Sequence, residues 1–213
     1  MSNYEIDPNC PSSVSQTPDD VSGVRMRCMP FYACYAERLR DMPMEEAVPY
    51  MKELWDNNNF YDADKVADIY SHGTREESVL SNFAKSNFYF EGVLCVSMEG
   101  FLQALKTPNL NEQIRICGLK GKLAKKAGLA VPNFDGEHLY WQGKTINRFS
   151  DEYHTLVRRA YHARFEQDED FRCALETSKH KNLIHTIGNN DPKSTILTTD
   201  EFIGFLRELQ NEL

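Results

Sequence analysis

The run Ser97 to Lys106, SMEGFLQALK, gathers chemically capable side chains on one helix. Ser97 is a good N-cap, because its hydroxyl can accept a hydrogen bond from a first-turn amide that has no helical partner. Met98, Phe101, Leu102 and Leu105 follow the i, i+3, i+4, i+7 spacing and must face a core. Glu99, Gln103 and Lys106 then form a polar stripe beside that apolar face. Glu99 lies in the first turn, where the helix dipole stabilises its ionised form. A carboxylate held beside a core suits glycosidic cleavage, because the departing sugar passes through an oxocarbenium-like cation. The plainer reading of the same spacing is a first-turn acid with two solvated neighbours.

Other residues add possible contacts. Trp141 can stack on a base or lie against a ribose, and equally can fill a core. Asn82 offers amide donors and acceptors suited to ribose hydroxyls or a base edge, or else forms a turn. His185 could protonate a leaving base near neutral pH, or sit as a satisfied histidine within the apolar stretch of Leu183, Ile184 and Ile187. Arg115, Lys120, Lys122, Lys125 and Lys126 have no acid between Glu112 and Asp135, a local reversal of sign suited to a pyrophosphate or a nucleic-acid backbone. A solvated basic face paired with N-terminal acids would read the same way.

The elements that must position these residues are mostly helices. Val66–Tyr70 is a possible strand, followed by the loop SHGTREES, and Phe88–Val96 has hairpin content around a glycine. Helices are expected from Ser97 to Lys106, from Asn109 to Gly128 with Gly128 as the C′ residue, and from Ser150 to Phe165. Two more are expected over Glu169–Ser178 and Thr199–Leu213, the last with Thr199 as N-cap. Upstream, Phe31, Tyr35 and Leu39 make a helical stripe over Pro30–Met42, and Met44–Trp55 starts with two acids and carries Pro49. The fold class is therefore α+β, helix-rich, with a small sheet near residues 66–96. The expected division is a mobile segment 1–22, a helical appendage 23–65 and a catalytic domain 66–213.

Composition bounds the function. Of 213 residues 41% are apolar and 26% charged, which excludes a mostly disordered chain. No apolar run approaches a membrane span, and the start MSNYEIDPNC lacks the pattern of a signal peptide, so a cytoplasmic protein without a membrane partner is expected. Against 32 acidic residues stand 24 basic ones, a net charge of −8, so any nucleic acid must be met by a local basic patch. The six cysteines form no C-x-x-C pair, and neither a metal nor any other cofactor is expected.

The run LSNF (Leu80–Phe83), the helix SMEGFLQALK, GLKGKLAKKAG (Gly118–Gly128), LYWQGK (Leu139–Lys144) and LIHTIGNND (Leu183–Asp191) resemble, in order and spacing, the NADAR superfamily, which includes the YbiA-like N-glycosidases. The likeness covers residues 66–213. It implies a NADAR-like fold and hydrolysis of an N-glycosidic bond at C1′ of a ribose, releasing ADP-ribose from guanine in nucleic acid or nucleotide. An ADP-ribose-containing substrate, ADP-ribosylated nucleic acid included, is the implied partner. Glu99, Asp191 and Trp141 are the implied catalytic residues; Ser81, Asn82, Phe83, Ser97, Gln103, Lys106, His185 and Gly188 are the implied substrate-binding ones. The chain departs from the pattern at His185, where many members carry a glutamate, and lacks their W-G after Asp191. Two alternatives stay open: an N-glycosidase of phosphoribosyl-aminopyrimidine intermediates, and a module that binds ADP-ribose or a related nucleotide without turning it over.

Overall fold

The computed structural model of the protein describes residues 26–28, 42–56, 60–62, 64–132 and 134–213. The segment 1–22 and, but for Met42, the helix expected over Pro30–Met42 lie outside them. The architecture is α+β and helix-rich. Its helices are α1 (Met44–Asp56), α2 (Arg75–Leu80), α3 (Met98–Ala104), α4 (Leu110–Cys117), α5 (Gly121–Leu129), α6 (Asp151–Gln167), α7 (Glu169–Thr177) and α8 (Thr199–Gln210). The strands form two-stranded ladders instead of one small sheet: β1 (Met26–Cys28) with β2 (Phe60–Asp62), β4 (Phe88–Phe90) with β5 (Val93–Cys95) and β6 (His138–Trp141) with β7 (Lys144–Asn147) are antiparallel. The fourth ladder is parallel and pairs β3 (Val66–Asp68) with the distant β8 (Asn182–Ile184) in the register Asp68↔Ile184.

The helix α3 forms as its pattern requires. Ser97 Oγ accepts the Gly100 amide at 2.9 Å, and Met98, Phe101, Leu102 and Leu105 are buried to 1% exposure or less. Burying each of these side chains contributes about 2 kcal/mol, so the helix is held by packing more than by its own propensity. The expected helix Asn109–Gly128 is two helices. The chain breaks between Cys117 and Gly121, where Gly121 takes φ +49°, a conformation that an L side chain resists. Gly128 is consequently not a C′ residue but a buried interior position of α5. The loop SHGTREES contains α2, opened by a capping box between Thr74 and Glu77, and α8 is capped by Thr198 instead of Thr199.

Candidate active site

A cavity of about 430 Å³ opens where four stretches distant in sequence meet. Tyr70 and Ser71 follow β3; Ser81, Asn82 and Phe83 follow α2; Glu99, Leu102 and Gln103 come from α3, joined by Lys125 of α5; the last wall runs from His185 to Phe202.

Each stretch is fixed by buried polar bonds. The Ser81–Phe83 loop is held from behind by α6. Tyr161 Oη donates to Asn82 Oδ1 at 2.7 Å, and the fully buried Arg164 donates to Val79 O at 2.7 Å and to Ser86 Oγ at 3.0 Å. The Asn82 carbonyl accepts the Glu99 amide at 2.8 Å, which ties the loop to the start of α3. Ser81 Oγ accepts the Phe83 amide at 3.2 Å. On the opposite wall the β3–β8 ladder places Asp68 so that its carboxylate accepts from the Thr186 amide at 3.0 Å and the Thr186 hydroxyl at 2.5 Å. Glu201, bonded by both arms of Arg148 at 2.9 and 2.6 Å, closes the capping box that fixes Thr198.

Glu99 is 6% exposed. Burial pushes its carboxyl above the usual carboxylate range, opposed by the ammonium of Lys125, the hydrogen bond from Gln103 and the charge of Lys106. Gln103 Nε2 donates to Glu99 Oε1 at 2.9 Å, and Lys125 Nζ lies 3.9 Å from the same oxygen. Both contacts fall on Oε1, which leaves Oε2 for a ligand. His185 donates through Nδ1 to the Ile69 carbonyl at 2.6 Å, so in the neutral ring Nε2 carries the lone pair and accepts. Burial lowers its pKa and favours that neutral form, against the Ile69 carbonyl and the charge of Asp68. Its ring meets Phe202 edge to face at 5.1 Å.

The cavity thus brings together Ser81, Asn82, Phe83, Glu99, Gln103, His185 and Gly188. Four other expected site residues stand elsewhere. Trp141 packs in the core against Phe90 and Phe101, with its indole N–H donated to Glu91 Oε2 at 2.8 Å. Ser97 is spent on the α3 cap and on the Leu119 carbonyl, 2.9 Å away. Asp191 is exposed and caps a turn by accepting the Lys193 amide at 3.0 Å. Lys106 is not among the residues lining the cavity, yet its charge acts on Glu99; its ammonium lies 5.0 Å over the Phe134 ring, and burial with the nearby Lys125 lowers its pKa against the carboxylate of Glu99. Reading residue types singled out Lys125 only as one of five phosphate-facing charges. Its place beside Glu99 depends on how α3 packs on α5. Asn189 and residues 194–198 were also missed, and no spacing in the sequence marks them as lining.

Residues 75–211 match the family described as bacteriophage protein GP30.3, well over half of the chain. The chain belongs to that family, which is of NADAR type. That membership agrees with the NADAR resemblance of the motifs. An uncharacterized 17.1 kDa protein of the Gp30–rIII intergenic region of Enterobacteria phage T4 is 40% identical over 136 residues, spanning 63% of this chain and 90% of the relative. The NMR structure of the E. coli protein YbiA aligns with 70% of this chain and 84% of its own, at 17% identity and a TM-score of 0.48. Membership of the GP30.3 family, as a NADAR-type family, points to a glycosidase-like role. Among the described residues no helix is long and apolar enough to cross a membrane, and no group of three or more His, Cys, Asp and Glu could hold a metal ion.

Proposed function

We propose that the chain hydrolyses an N-glycosidic bond at C1′ of a ribose and releases ADP-ribose from a guanine base in nucleic acid or nucleotide. The observation that carries this reading is Glu99: a buried carboxylate on a cavity wall, braced on one oxygen by Gln103 and Lys125 and, among the described residues, without a hydrogen-bond partner on the other. Removing a carboxylate from water raises its cost as an anion, and a developing cation beside it offsets that cost. An oxocarbenium ion at C1′ is such a cation.

In the reaction the C1′–N bond breaks with its electron pair leaving on the base. The oxygen of water bonds to C1′, and the displaced water proton ends on the base nitrogen. Glu99 Oε2 stabilises the positive charge at C1′. His185 Nε2, an acceptor on the cavity wall, takes the proton of the attacking water and passes it on. Asn82 has its Oδ1 engaged by Tyr161, which leaves the amide donors for a ribose hydroxyl or a base edge. Lys125 faces the phosphates.

The test is incubation with an oligonucleotide carrying ADP-ribosylated guanine, and separately with NAD, with products read by mass spectrometry. Free ADP-ribose together with unmodified oligonucleotide is the expected result. Intact substrate in both, with ADP-ribose still raising the melting temperature, would replace hydrolysis by binding alone.

A further inference from the structure

Gln103 is fully buried, and its Oε1 meets no hydrogen-bond partner. An amide with one end bonded to Glu99 and the other end bonded to nothing is held in place by shape. Gly128 supplies that shape. A Cβ built at this position would fall against Gln103 Oε1 and lie 2.6 Å from its Cδ and 2.7 Å from its Cβ. Neither turn nor positive φ asks for glycine here: the residue lies within α5, a helical position that glycine weakens. What excludes a methyl group is the side chain of Gln103.

We propose that Gly128 is a positioning residue for Glu99. By leaving room for Gln103 it holds the amide whose N–H fixes Glu99 Oε1, and so directs Oε2 to the ligand. The inference rests on the reading of Glu99 as the reacting carboxylate. An alanine at Gly128 would drive the Gln103 amide off its bond, and the same loss would follow from removing the amide outright. The two substitutions therefore act through one contact, and their effects must not add.

The experiment compares Gly128→Ala, Gln103→Ala and the double variant by two readouts. The first is the titration of the Glu99 carboxyl, followed by carbon NMR and identified by its loss in Glu99→Gln. Since the Gln103 hydrogen bond favours the ionised acid, both single variants should raise the titration midpoint, and the double variant should raise it no further than Gln103→Ala does. The second is kcat/KM on the ADP-ribosylated guanine oligonucleotide, expected to fall on the order of tenfold in each single variant and equally in the double. If the wild-type protein leaves that oligonucleotide intact, the proposed reaction fails while the titration still decides the positioning role. An unmoved midpoint in Gly128→Ala, or additive shifts in the double variant, overturns the proposal. If Gly128→Ala does not fold, refolding on addition of Gln103→Gly supports it, because the amide and the Cβ that the new methyl group would meet at 2.7 Å are then both gone. A double variant that also fails to fold overturns it.

Discussion

In the proposed reaction Glu99 concentrates the chemistry in one carboxyl, and its burial would tie activity to stability. A buried acid whose folded pKa lies above the ordinary carboxylate value favours the protonated form in the fold. Its favourable contribution to stability is present below the ordinary value and is lost as pH rises through the folded one. Glu99→Gln is a permanent mimic of the protonated acid. It should melt with wild type in acid and above wild type at a pH above the raised pKa of Glu99, while turnover falls on the order of 10²-fold or more. Melting curves at two pH values and initial rates check both halves; a variant at wild-type rate would remove Glu99 from the reaction. This residue was legible in the sequence because helix periodicity separates a polar stripe from an apolar one. Trp141 shows the limit. An indole suits a ligand face and a core equally, and only the packing of Phe90 and Phe101 shows which surroundings this one has.

At the scale of elements, short helices aim the site, and their ends matter more than their lengths. The break between α4 and α5 turns the second helix so that Lys125 reaches Glu99 and Gly128 meets Gln103. Composition marked Gly118 and Gly121 as weak points of one helix but could not show that the chain breaks there, because a glycine reads equally as a weak point or an end. Strand pairing was harder still. The two residues that set the His185 wall, Asp68 and Thr186, lie 118 apart in sequence, and no local pattern specifies a parallel ladder over that distance. Caps were readable only in part: Ser97 accepts the amide expected of an N-cap, whereas the last helix is capped by Thr198 and not by Thr199. The break itself is testable. Gly121 has room for a methyl group, its nearest neighbour being Phe83 O at 3.4 Å, so the penalty for a side chain comes from φ +49° alone. Gly121→Ala should lower stability by about 1 kcal/mol, and Gly121→Asn by less, because asparagine tolerates the left-handed region. Denaturant unfolding measures both. Equal losses would place the cost in packing instead.

At the scale of the molecule the charge distribution decides how a substrate arrives. The chain carries −8 overall, yet α5 presents Lys122, Lys125 and Lys126 without an acid of its own. Lys125 belongs to the cavity, whereas Lys122 and Lys126 are exposed and stand one helical turn apart. Beside them Leu123 and Leu129 are also exposed, at 62% and 70%. In the proposed reaction, lysines that flank Lys125 along one helix fit a phosphate backbone that continues beyond the nucleotide being cleaved. Replacing Lys122 and Lys126 by alanine should then leave the rate on a small ADP-ribosylated guanine nucleotide unchanged, since neither residue lines the cavity. On an ADP-ribosylated oligonucleotide the same change should weaken binding and reduce the slope of log affinity against log salt by about one for each lysine that touched a phosphate. Were these lysines only a solvated face, the double substitution would shift stability by at most about 1 kcal/mol and leave both slopes alike. Initial rates and binding on the two substrates across a salt series separate these outcomes: an unchanged oligonucleotide slope would confine recognition to the cavity and make the free nucleotide the natural substrate.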